Sequence, residues 1–238
     1  RLVSADAARL ARFYTAIGFA VAGEVAIHPA ELAMLGLAGG GRRITLHLGG
    51  SRLDIDQYTA AGAAYPADAR SCDTCFQHFA IRSLDAEVGR QRALTAGATM
   101  ISCGPAVQLP PDTGSVIATK LRDPEGHPIE FLQFAEARPP GIDHSAIVVA
   151  DAKQSLAFYR TLGLSAAPGT CNHGETQARL DGLDNPVVEV LPLLPTGGSP
   201  HLEVLAYRHP APRPARWRPA DVVATRLVWM TDRDGLLT

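Results

Sequence analysis

Asp6-Ala7-Ala8-Arg9-Leu10-Ala11-Arg12-Phe13-Tyr14-Thr15-Ala16-Ile17-Gly18-Phe19 returns, much later, as Asp151-Ala152-Lys153-Gln154-Ser155-Leu156-Ala157-Phe158-Tyr159-Arg160-Thr161-Leu162-Gly163-Leu164. In both copies Phe-Tyr follows the Asp by seven and eight residues, and Gly follows it by twelve. A weaker third copy starts at Asp85 and reaches Ala93-Leu94 and Gly97, the Gly again twelve residues on. Self-similarity of this kind marks a repeated supersecondary unit. Each Asp can cap a helix through its carboxylate. Leu10, Phe13, Tyr14 and Ile17 fall on one helical face. The Gly stops the helix where left-handed backbone is least costly.

Working outward, short apolar strands precede two of the Asp residues, Phe76 to Arg82 and Ile142 to Val149, while only Leu2 and Val3 stand before Asp6. The far ends of the units also align. Arg52-Leu53-Asp54-Ile55-Asp56-Gln57-Tyr58, Pro128-Ile129-Glu130-Phe131-Leu132-Gln133-Phe134 and His201-Leu202-Glu203-Val204-Leu205-Ala206-Tyr207 each place an acid among apolar residues with an aromatic four positions later. Room for two more strands in between makes the unit β-α-β-β-β. A fourth unit opens at Ala224 to Asp232, close to the end of the sequence. Thr59 to Thr74, Ala135 to Gly141 and the proline- and arginine-rich His209 to Pro219 read as linkers.

Composition narrows the function classes. The 238 residues carry a formal net charge of −2, with 46% hydrophobic and 19% charged residues, which excludes a disordered chain. This balance offers no basic field for nucleic acid and no polybasic membrane patch. The longest uncharged run, Ala93 to Pro111, is too polar to span a bilayer. Four unevenly spaced cysteines do not make a disulfide scaffold, so a reducing cytoplasm is the expected compartment. No signal-peptide pattern is visible, and the sequence starts at Arg1 without Met. Four full units would need more chain, so the expectation is a trimmed sequence.

These repeats resemble the vicinal oxygen chelate superfamily, which includes glyoxalases, bleomycin-resistance proteins and extradiol dioxygenases. The resemblance rests on Asp6…Phe13-Tyr14…Gly18-Phe19, on His78 with Asp85, on Asp123-Pro124-Glu125-Gly126-His127-Pro128-Ile129-Glu130-Phe131, on His144 with Asp151…Phe158-Tyr159…Gly163-Leu164, and on His201-Leu202-Glu203. It implies an α+β fold of tandem βαβββ modules pairing into half-open barrels. On this basis residues 1–137 form one barrel from modules 1 and 2, and residues 141–238 form a second from module 3 and the start of module 4.

The resemblance also implies a divalent metal held by residues on the first and last strands. It assigns His78, Glu130 and Asp54 as ligands, with Asp56 as a substitute for Asp54. The first-strand place of module 1 falls before Arg1. Imidazole with carboxylates suits Fe(II), Mn(II), Ni(II) or Zn(II). His144 and Glu203 hold the equivalent places in module 3 and mark a second-domain pocket. Their partner position in module 4 is Thr225, a poor ligand, which argues against the iron site of extradiol dioxygenases there.

Other candidates read as structural. Cys72-Asp73-Thr74-Cys75 reads as two loop thiols before a strand. Asp123 to Gly126 reads as a turn, with His127 a polar edge residue beside it. His28 and His173 read as surface residues, and His47, in the Ile44 to Leu48 strand, can face either side.

The functional expectation is a metal-dependent enzyme acting on a small organic substrate through vicinal oxygens. Glu130 is its catalytic acid or base, and the chemistry is that of a lyase, an isomerase or an Fe(II) dioxygenase. The alternative is a metal-free binding protein of the antibiotic-resistance type. Incomplete barrels with open edges make a homodimer an expectation as well.

Overall fold

The computed structural model of the chain describes residues 1–229. Module 1 consists of β1 (Leu2–Val3), α1 (Ala7–Ala16), β2 (Ala20–Ala26), α2 (Pro29–Met34), β3 (Gly41–Leu48) and β4 (Ser51–Tyr58). Module 2 follows with β5 (Gln77–Arg82), α3 (Ala86–Thr95), β6 (Thr99–Met100), β7 (Val107–Gln108), β8 (Ile117–Arg122) and β9 (Pro128–Gln133). Module 3 contains β10 (Gly141–Val148), α4 (Ala152–Thr161), β11 (Ser165–Ala166), β12 (Thr170–His173), α5 (Gly174–Asp181), β13 (Val187–Leu194) and β14 (His201–His209).

The repeat signals act as the sequence predicts. Asp6 accepts from the Arg9 amide, Asp85 from the amides of Glu87 and Val88, and Asp151 from that of Gln154. Such caps contribute about 1 kcal/mol each. Gly18, Gly97 and Gly163 take φ of +114°, +103° and +87°, where a side chain would be strained. Leu10, Phe13, Tyr14 and Ile17 are all buried. The short helices α2 and α5 and the strands β7 and β12 are additions to the expected unit.

The sheets divide the chain differently from the expected barrels. Module 1 forms its own four-stranded sheet, ordered β1-β4-β3-β2. Modules 2 and 3 share one sheet, ordered β11-β13-β14-β10-β5-β9-β8-β6, with β12 and β7 as side partners. The join is an antiparallel pairing of β5 with β10, which crosses the expected boundary at residues 137–141. Modules 1 and 2 share a hydrophobic core instead, where Leu10, Phe13 and Tyr14 meet Phe79, Ile129 and Phe131.

The Asp-Pro-Glu-Gly-His turn fastens that core. Tyr14 Oη donates to Asp123 Oδ2 at 2.8 Å, and Glu125 accepts from Ser4 Oγ and from the amides of Ala5 and Asp6. His127 is fully buried rather than an edge residue. Its Nδ1 lies 2.9 Å from Asp123 Oδ2, and its Nε2 lies 3.0 Å from the carbonyls of both Val3 and Val222. Both ring nitrogens face only acceptors, so the ring holds both protons. Burial opposes that charge, but Asp123 outweighs burial and raises the His127 pKa.

The stretch before module 4 returns to module 1. Arg1 and Arg226 exchange two backbone hydrogen bonds, at 2.8 and 2.9 Å. Thr225 therefore lies at the open edge of β1. Asp232 lies outside the described residues. The linkers are tied down: Asp73 is buried and accepts from both Arg70 and Arg213.

Candidate metal centre at the seam of modules 2 and 3

The pairing of β5 with β10 places His78 opposite Ala146 and His144 opposite Ala80. On the outer sides, Ala80 faces Glu130 of β9 and Ala146 faces Glu203 of β14. Alternate residues of a strand share a face, so all four side chains rise on one side of the sheet around the two alanines. Ala80 and Ala146 are fully buried, and their small size leaves the space into which the longer side chains converge.

The donor atoms are close. His78 Nε2 lies 3.2 Å from Glu130 Oε2, and His144 Nε2 lies 3.5 Å from Glu130 Oε2 and 3.5 Å from Glu203 Oε2. His78, Glu130 and His144 form a cluster whose ligand atoms all lie within 4.8 Å of one another. His144 Nε2 is buried and has no hydrogen-bond partner, which is costly for a polar nitrogen unless something else engages it. Two ligands each about 2.1 Å from one ion sit roughly 3 to 3.5 Å apart, which is the spacing found here. The donor set therefore fits a divalent transition metal. A second cluster, Asp143, His144 and His201, shares His144 with the first.

Electrostatics bind the group together. Burial disfavours charge on His144, but Glu203, Asp143 and Glu130 outweigh it and push its pKa up to about 10. Burial holds the His78 pKa down, leaving a neutral imidazole. Burial would raise Glu130, yet Lys120, His144 and His78 bring it well below the usual carboxylate range. Glu203 is lowered too, by His144 and His201 working against burial.

Asp54 does not join this group. It accepts from Thr45 Oγ1 at 2.8 Å and from Arg52 Nε at 2.9 Å, and its Oδ2 lies 3.5 Å from Arg1 Nη2. Asp56 is fully buried and takes two hydrogen bonds from Arg43, at 2.6 and 2.9 Å. The cause is register: β3 sets Thr45 opposite Asp54 and Arg43 opposite Asp56. Both carboxylates are thus taken up within module 1. Cys72 and Cys75 are free, buried thiols and belong to neither ligand cluster. His28 and His173 are exposed, as expected, and so is His47.

Two features were not among the sequence candidates. The first is that the structure brings His144 and Glu203 beside His78 and Glu130. The second is Lys120, which stands opposite Glu130 on β8 and is 4% exposed. Asp181, at the end of α5, accepts from Lys120 Nζ at 2.8 Å and holds it off Glu130. Asp181 also accepts from Gln177 Nε2 at 2.7 Å and from Tyr207 Oη at 2.8 Å. The site opens into a cavity of about 410 Å³ with a polar floor and apolar walls that include Leu109, Leu132, Phe134 and Val188.

Solved structures share the fold. Glyoxalase I from Zea mays superposes with a TM-score of 0.58 at 15% identity, over 88% of this chain and 66% of that one. The chain has the fold of that glyoxalase I structure. A mutant of the same maize enzyme matches with a TM-score of 0.56 at 16% identity, over 88% of this chain and 68% of that one. The chain thus spans about two thirds of these glyoxalase-fold structures. No family model and no curated protein sequence matches it. No helix among the described residues is long and apolar enough to cross a membrane.

Proposed function

We propose that the protein is a metal-dependent enzyme whose divalent ion is held by His78, Glu130, His144 and Glu203. The observation that carries the reading is the convergence of two imidazoles and two carboxylates around the unpartnered Nε2 of His144. Two nitrogens and two carboxylate oxygens suit Fe(II), Mn(II), Ni(II) or Zn(II). When bound, the ion supplies Lewis-acid polarisation of vicinal oxygens on a small organic substrate, the chemistry of a lyase or isomerase.

The chain's own residues do the rest. Asp143 Oδ2 lies 3.3 Å from His144 Nδ1 and orients that ring. The apolar walls exclude water from the reacting atoms. Glu130, between the two imidazoles, is the residue that accepts a substrate proton and returns it. Asp54 has no part in the proposed ligand set, because its oxygens are engaged by Thr45 and Arg52.

A second reading, a metal-free binding protein, draws on one observation: a protonated His144 can bridge Glu130 and Glu203 without an ion. Metal analysis of protein purified without chelator separates the two. The enzyme reading expects about one equivalent of transition metal, lost in the His78→Ala, Glu130→Ala double variant while the fold is kept. Less than about a tenth of an equivalent, with no uptake on titration, overturns it.

A further inference from the structure

We propose that the cavity takes an anionic substrate, a small organic acid whose carboxylate is received by the buried ammonium of Lys120 while its vicinal oxygens meet the metal. The proposal rests on the metal-centre reading above and names the substrate class of that site.

A lysine that is 4% exposed is held in the cavity floor at the cost of its hydration. Its ammonium carries three donors, and Asp181 is its one protein acceptor among the described residues, which leaves donor capacity for a ligand. Asp181 is itself fixed by Gln177 and Tyr207, so the ammonium is pinned in place. A buried ion pair seldom adds stability over apolar side chains of similar size, so stability alone is a weak reason for this pair.

Position gives the cation its role. Lys120 is the cross-strand neighbour of Glu130, one strand away from a proposed ligand. The matching place beside Glu203 on β13 is Pro192, which has no charge. The floor therefore carries a lysine ammonium beside Glu130 and none beside Glu203, and this asymmetry orients an acid relative to the chelated oxygens. A few fixed polar groups in an otherwise apolar cavity are what set ligand orientation. At the mouth, the Arg138 guanidinium stacks 3.7 Å from the Phe134 ring centroid and adds a second cation on the path of an incoming anion.

The test uses the full chain loaded with cobalt(II), titrated with 3,4-dihydroxybenzoate and with catechol, and followed by the cobalt absorption spectrum. Both probes offer the same pair of vicinal oxygens, and only the first has a carboxylate. The expected result is a preference for the acid that falls about tenfold or more in Lys120→Met, with the ligand-free cobalt spectrum unchanged. Lys120→Arg should keep part of the preference. Lys120→Met leaves Asp181 buried and unpaired, so the paired variant Lys120→Met, Asp181→Asn provides the same comparison with both charges removed. A preference that changes less than about twofold in both Lys120→Met backgrounds overturns the proposal. Failure of the wild-type chain to bind cobalt, read before either probe is added, overturns the metal reading itself. Bound cobalt with no Lys120-dependent preference overturns only the substrate class.

Discussion

At the seam of β5 and β10, the carboxylates of Glu130 and Glu203 face imidazoles, whereas in module 1 the carboxylates of Asp54 and Asp56 face guanidinium groups. The strands are equivalent by repeat register, so the difference lies in a few side chains. Five residues before the capping Asp stand Ala80 in module 2 and Ala146 in module 3, but Arg1 in module 1. The alanines leave a space bordered by lone pairs. Arg1 fills the corresponding space, with Nη2 3.5 Å from Asp54 and Nε 3.8 Å from Asp56. One scaffold thus faces its inward carboxylates in two ways, with fixed guanidinium groups or with imidazoles.

The comparison can be broken at several points. The largest expected effect is on folding in module 1: Asp56→Asn removes two charged hydrogen bonds from Arg43, leaves Glu31 as its remaining hydrogen-bonded carboxylate, and should cost about 3 kcal/mol in denaturant unfolding. The same variant should bind metal normally, since Asp56 lies outside the site. Ala80→Leu is the converse change. It fills the space between Glu130 and His144, so it should lower metal affinity by about a hundredfold and cost about 1–3 kcal/mol from overpacking. Titration calorimetry and unfolding curves read the two effects separately.

The fastening of modules 1 and 2 gives a pH test. The folded-state pKa of His127 is raised, so its contribution to stability is complete below its unfolded value near about 6.5 and is lost as pH rises through the folded value. His127→Gln should therefore cost about 1–3 kcal/mol at pH 6 and progressively less at alkaline pH. A stability difference that grows with pH would contradict the doubly protonated ring. The smallest effect is expected for Asp54→Asn, which should change metal affinity by less than about twofold, because Asp54 serves Thr45 and Arg52 rather than an ion.

Much of this was legible in the sequence, and the boundary is physical. The capping aspartates, the buried stripe from Leu10 to Ile17 and the terminating glycines are local signals whose meaning needs no tertiary context. His78, Glu130, His144 and Glu203 were each singled out because strand register repeats with the unit. What the sequence did not reveal is which modules pair. An edge strand such as β5 carries no local mark of its partner, and consecutive modules 1 and 2 meet through a core and a turn instead of a sheet. The surroundings of Asp54 are hidden in the sequence for the same reason: its cross-strand neighbour Thr45 and the nearby Arg43 become visible only with the register of β3 on β4. Lys120 and Asp181 are 61 residues apart and meet only in the folded chain. One local signal does mark the seam: His-x-Ala recurs as His78-Phe79-Ala80 and His144-Ser145-Ala146, while module 4 reads Thr225-Arg226-Leu227.

The most direct test of the seam as the working centre is anomalous diffraction from crystals of the full chain loaded with cobalt(II). The account predicts one strong peak within bonding distance of His78 Nε2, Glu130, His144 Nε2 and Glu203. A peak at Asp54 and Asp56, or a crystal that takes up cobalt with no peak between β5 and β10, would contradict it.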